Sequence, residues 1–202
     1  MKNPHKALIA LGSNLGDSEG IIQQAFQALE SLTQGAISRS SLWKTEPVNC
    51  PEGSPCFVNA AMSFEVSSDT RPEDFLRKLL AIESALGRKR SGVINEPRVI
   101  DIDLICLGSI RMDSPFLTLP HPRAHLRSFV LAPLAEIEPD FSFPGFDATA
   151  SELLKDLPPE EGCVSLHEDT TLIPFDKARS GQMPECGISR KFLNEGFDFL
   201  VV

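Results

Sequence analysis

Between Val99 and Leu107 the chain is apolar apart from Asp101 and Asp103. Side chains alternate along a β-strand, so both acids fall on one face while Ile100, Ile102 and Leu104 cover the other. Two carboxylates about 7 Å apart on a core strand repel each other and resist desolvation unless a cation compensates. A divalent cation, or a pair, supplies that compensation, and Mg²⁺ prefers one or two carboxylates plus the oxygens of a substrate phosphate. Taken alone, the pair also fits two acids at a strand end that face water. The neighbouring sequence favours the first reading, because Arg88, Lys89, Arg90 and Arg98 precede the acids and Arg123 and Arg127 follow them. Carboxylates for metal beside arginines for phosphate are the equipment of phosphoryl transfer.

The rest of the chain surrounds this strand with an α+β pattern. Ala7 to Leu11 reads as a strand, and Ile22, Ala25, Phe26, Leu29 and Leu32 follow at helical spacing behind a cap at Asp17 or Ser18. Ile37 to Trp43 and Phe57 to Val66 read as strands, separated by a loop rich in Pro, Gly and Asn. Thr70-Arg-Pro-Glu73 has capping-box spacing and opens a helix that Gly87 closes. Phe129 to Ile137 adds a short helix that Pro139 stops. The order β-α-β-β-α-β plus a trailing helix is the ferredoxin-like, split-βαβ order, an antiparallel sheet with helices packed on it. The expected division is a catalytic domain over 5–158 and a C-terminal extension over 159–202.

A net charge of −9 argues against nucleic acid as partner, since such binding rests on surplus Lys and Arg. The local basic cluster instead suits a small polyanion. No apolar run reaches the roughly 18–20 residues of a membrane span, and Met1 to Leu11 lacks the apolar core of a signal peptide. Five cysteines without a C-x-x-C pair read as a reduced, cytoplasmic protein without a disulfide framework, Cys106 being a small core residue.

Phosphate-binding glycine motifs are missing: Gly12-Ser-Asn-Leu-Gly16 is a turn after a strand, neither a P-loop nor a G-x-G-x-x-G. Any nucleotide is therefore held by arginines, histidine and metal. His121 stands between Pro120 and Pro122, a stiff setting for a fixed contact. Pro122 also disfavours the helix that an i, i+4 zinc pair with His125 would need. Asn59 offers a donor and an acceptor to a heterocycle edge, with Phe57 or Phe129 able to stack on its face; a core Phe and a strand Asn fit these residues equally well.

Together these stretches resemble the hydroxymethyldihydropterin pyrophosphokinase family. The matching residues are Ala10-Leu-Gly-Ser-Asn-Leu15, Thr45-Glu-Pro47, Phe57-Val-Asn59-Ala-Ala61, Ile82-Glu83 with Leu86-Gly-Arg88, Pro97-Arg98-x-x-Asp101-x-Asp103-Leu104, and Pro120-His121-Pro122-Arg123 through Phe129 to Leu134. The resemblance implies transfer of the two terminal phosphates of ATP to the pterin's hydroxymethyl oxygen, releasing AMP. It implies that Asp101 and Asp103 bind two Mg²⁺, and that Arg88 and Arg98 contact the phosphates during transfer. His121 and Arg127 would hold the nucleotide from the other side, with Thr118 and Glu83 near its ribose and base. Thr45, Pro47, Phe57, Asn59 and Phe129 would line the pterin pocket of a monomer, under mobile loops at 12–17, 46–56 and 88–97. Asn95 stands where many members have Trp, and Phe116 where some have Arg. Two other readings stay open: a different Mg-dependent nucleotidyl or phosphoryl transferase using the same acids, and a non-enzymatic ferredoxin-like binding module.

Overall fold

A computed structural model describes residues 3–33, 35–47, 53–90, 96–158 and 164–166. Its elements in order are β1 (His5–Ser13), α1 (Ser18–Glu30), β2 (Ile37–Arg39), β3 (Trp43–Thr45), β4 (Phe57–Val66), α2 (Pro72–Ala85) and β5 (Asp101–Leu107). There follow β6 (Met112–Asp113), β7 (Thr118–Leu119), a 3-10 turn at Ala124–Leu126, α3 (Ser128–Ile137), α4 (Ala150–Asp156) and β8 (Val164–Leu166). The main sheet runs β5-β1-β4-β3-β8, with β2 also on β4, and every pairing among the described residues is antiparallel. β6 and β7 make a separate two-stranded ribbon.

Alternation along the central strands splits the interior into two layers. Ala7, Ile9 and Leu11 of β1, with Val58, Ala60, Met62 and Phe64 of β4, meet Ile22, Phe26 and Leu29 of α1 and Phe75 and Leu79 of α2. Leu8, Ala61 and Ile105 point the other way, beneath Val130, Leu131 and Leu134 of α3 and Ala150 of α4. The sheet is thus covered on both faces, and α4 is an element that the sequence reading did not place. Its start carries a complete capping box, in which Thr149 Oγ1 accepts from the Glu152 N–H and Glu152 accepts from the Thr149 N–H.

Three local expectations need correction. The strand expected over Ile37 to Trp43 is two segments: Ser40 still donates its N–H to the Ala61 carbonyl but accepts the Ala61 N–H on its Oγ, and Ser41 and Leu42 leave the ladder. Glu136 of α3 takes the place of a strand neighbour there, accepting from Ser41 N–H and Oγ at 2.9 and 2.7 Å and from Trp43 Nε1 at 2.8 Å. The capping box expected at Thr70 does not form: the N-cap of α2 is Arg71, with no side-chain cap, and Pro72 opens the helix. Finally, Cys56 is disulfide-bonded, to a partner outside the described residues, whereas Cys106 is free and buried as expected. Of the expected extension 159–202, only 164–166 are described, and they pair with β3; the remainder lies outside the described residues. Positions 48–52 of the loop 46–56, and 91–95 with Asn95 among them, also lie outside. Among the described residues no helix is long and apolar enough to cross a membrane.

Candidate active site

The central strand supplies the floor. Gly12 is the register partner of Asn59 on β4 and of Asp101 on β5, and Ala10 is the partner of Ala61 and Asp103. Asn59 and Asp101 therefore stand two strand spacings apart, about 10 Å, with only a glycine between them. A Cβ on Gly12 would lie 2.9 Å from Asn59 Oδ1, closer than side chains tolerate, so the bare backbone lets the amide lie across it. Asn59 Nδ2 donates to Thr45 Oγ1 at 2.8 Å, a bond between buried groups. Phe57, two residues earlier on the same face, lies under the Arg98 guanidinium, 5.4 Å from ring centroid to Cζ. Pro47 is half-buried beyond Thr45.

On the other side of the floor, arginines converge on Asp101. Helix α2 ends in a Schellman turn: Gly87 has φ +94°, and the Arg88 N–H reaches back to the Glu83 carbonyl at 3.0 Å. That reversal aims Arg88 at β5, where its Nη1 donates to Asp101 Oδ1 at 2.6 Å and to the Ile100 carbonyl at 2.7 Å. Arg98 Nη1 lies 3.2 Å from Asp101 Oδ2. Glu83, also buried, accepts from the Ile102 N–H at 2.7 Å and from Arg90 Nη2 at 2.6 Å. It therefore sits among the acids and arginines of β5 and the α2 terminus, and does not line the cavity described below. Burial, then Asp101, push its carboxyl up to about 7, against the pull of the arginines. Burial, Asp101 and Glu83 also hold the Asp103 carboxyl well above its usual range, opposed by Arg98 and Arg127.

A third group comes from the segment after β7. The Leu119–Pro120 peptide is cis, and the His121 N–H donates to the Ile105 carbonyl at 2.8 Å, docking this segment on β5. Burial, reinforced by Arg127 and Arg123, pushes the His121 imidazole down to about 3, so it is neutral at physiological pH. Arg127 is lowered to about 10, by burial and then by Arg123, and its guanidinium lies 5.6 Å from the centre of the half-buried Phe129 ring. A cavity opens between these residues and the β6–β7 ribbon, lined by Asp103, Leu104, Phe116, Thr118, His121 and Pro122. Thr118 Oγ1 donates to Asp113 at 2.8 Å. Phe116 is 59% exposed at the rim. His125 packs on Phe146, ring centroids 4.6 Å apart.

By register Thr45, Phe57, Asn59, Asp101 and Asp103 share one sheet face, and Arg88 and Arg98 are brought onto Asp101. Thr118 and His121 line the cavity beside Asp103, and Glu83 is not among the cavity's lining residues. Sequence reasoning missed Gly12 and Ala10, whose value is their smallness between polar neighbours, and Asn14, which bonds the backbone of Arg98. The Gly12-Ser-Asn14 turn was visible as a motif, but its partners lie on distant strands.

Fold and site together define a mixed α/β protein that sets a buried amide, Asn59, and an aromatic ring, Phe57, beside acids and arginines. The chain belongs to the 7,8-dihydro-6-hydroxymethylpterin-pyrophosphokinase family, whose model matches residues 8–139. It is 35% identical over 152 residues to the 2-amino-4-hydroxy-6-hydroxymethyldihydropteridine pyrophosphokinase of Synechocystis, covering 75% of each chain. The same-named protein of Bacillus subtilis is 39% identical over 132 residues, 65% of this chain and 77% of the relative. That of Methylorubrum extorquens is 36% identical over 156 residues, 76% and 94% of the two chains. In fold, the chain is similar to Plasmodium falciparum HPPK-DHPS, with a TM-score of 0.57 at 14% identity, over 76% of this chain and 43% of that one.

Proposed function

We propose that this chain transfers pyrophosphate from ATP to the hydroxymethyl group of 6-hydroxymethyl-7,8-dihydropterin, releasing AMP, as a step of folate biosynthesis on a ferredoxin-like frame. The observation that carries this reading is the row Asn59–Gly12–Asp101, which sets the buried Asn59 amide one bare strand away from a charge cluster. Thr45 and Asn59 hold each other's polar groups in place for the pterin edge, with Pro47 and Phe129 closing the pocket and Phe57 beneath the ring. Arg98 stands at the junction, over Phe57 and against Asp101, where phosphoryl charge develops between the two substrates.

Asp101 and Asp103 are hard oxygen donors on one face, and burial, then Asp101 and Glu83, penalise the charged Asp103 carboxylate, a penalty that a bound Mg²⁺ would relieve. Bound there, Mg²⁺ would neutralise the triphosphate. Arg88 and Arg98 would exchange their pairing with Asp101 for phosphate oxygens, a swap between strong charge-assisted bonds. Neutral His121 offers a hydrogen bond rather than a charge, and Arg127 adds a cation from the opposite wall. Thr118 and the cavity beside it take the ribose and base, and Glu83 acts from behind by holding Arg90 and Arg88.

Incubation with ATP, Mg²⁺ and the reduced hydroxymethylpterin tests the assignment. AMP that appears only when pterin is present is the expected product. ADP, or AMP formed without pterin, overturns it.

A further inference from the structure

β5 begins at Asp101, so Arg98 lies three residues outside its ladder and the sheet does not hold its backbone. Asn14, 3% exposed in the turn after β1, supplies that hold instead. Its N–H donates to the Arg98 carbonyl at 3.1 Å, and its Oδ1 accepts from the Arg98 N–H at 2.8 Å. Both backbone polar groups of Arg98 are thereby engaged by one residue, much as in a strand pair. Its Nδ2 lies a longer 3.5 Å from the Pro55 carbonyl, two residues before Phe57.

We infer that Asn14 is a positioning residue that orients Arg98 between Asp101 and the Phe57 ring. The guanidinium must meet both Asp101 Oδ2 and the aromatic face, and side-chain packing alone leaves the backbone free to rotate that direction. An amide at position 14 removes the freedom by fixing the peptide on both sides of the Arg98 Cα. This inference rests on the proposed function, because it takes Arg98 to face both substrates.

Pterin-dependent AMP release by the full chain, Asn14→Ala and Asn14→Asp, beside thermal midpoints, tests it. Asn14→Ala deletes the acceptor, and its kcat falls by about tenfold or more with the KM for ATP changed by less than about threefold. Asn14→Asp keeps an acceptor in the same place and retains at least about a third of the wild-type kcat. A purely structural role would lower the thermal midpoint and leave kcat of the folded protein intact. A folded Asn14→Ala with wild-type kcat therefore overturns the inference, as does Asn14→Asp that is as slow as Asn14→Ala. Should Asn14→Ala not fold, Asn14→Asp decides alone: retained kcat supports the inference and a loss of about tenfold overturns it. Absence of AMP from the wild type is a separate result, which removes the functional reading and the inference with it.

Discussion

Asp103 is buried among like charges, and this shapes what its removal does. Asp101 and Glu83 raise its pKa alongside burial, so the folded protein bears the carboxylate at a cost. Asp103→Ala relieves that repulsion and keeps the thermal midpoint at or above that of the wild type. Turnover moves the opposite way, with kcat falling by about 10²–10³-fold as triphosphate charge goes uncompensated. Steady-state kinetics beside a pterin titration check this: the pterin Kd shifts by less than about twofold, because Thr45 and Asn59 lie across the strand from position 103. A stable, fully active Asp103→Ala protein contradicts the proposed metal pair.

Elements were legible where local pattern and tertiary need agree. Phe57 to Val66 is apolar at every position that meets α1 and α2, and its bounds coincide with β4. The Asp101/Asp103 alternation likewise follows from the pleat alone. The break at Ser40–Leu42 was not legible, since its cause is Glu136, far along the chain on α3. Thr70 failed as a cap because Pro72 itself sets the first turn one residue later. Thr149-x-x-Glu152 was a readable signal that was passed over. Replacing that cap, Thr149→Ala, lowers stability by about 1 kcal/mol, a midpoint shift of about 2–4 °C for a chain of this size, read by thermal unfolding. Activity at low temperature is unchanged, because α4 packs on α3 and on the 3-10 turn and contributes no residue to the cavity lining.

Across the whole molecule, the buried titratable groups oppose one another in pH. His121 has its pKa depressed to about 3 from 6.5. The unfolded chain therefore binds a proton there that the folded chain refuses, and this contribution, complete above about pH 6.5, is lost as pH falls toward 3. Its upper bound is about 5 kcal/mol. Glu83, raised from 4.5 to about 7, runs the other way: its contribution is full below about pH 4.5 and is lost as pH rises through 7. Thermal midpoints of the wild type and His121→Gln between pH 7 and 5 separate the two. The wild type loses more stability on acidification than His121→Gln does; parallel curves contradict a neutral buried imidazole. Residue chemistry at the site was readable because acids, arginines and His121 cluster in short stretches. Their joint geometry was not, because it depends on the register of β1 against both neighbours, a property of strands separated by tens of residues.

That register also acts as a ruler. The interval from the amide side to the acid side of the cleft is set by backbone pairing on either flank of Gly12, with no side chain intervening. Repainting the walls changes how firmly each guest is gripped, while the stride between the two guests stays as the pleated lattice dictates.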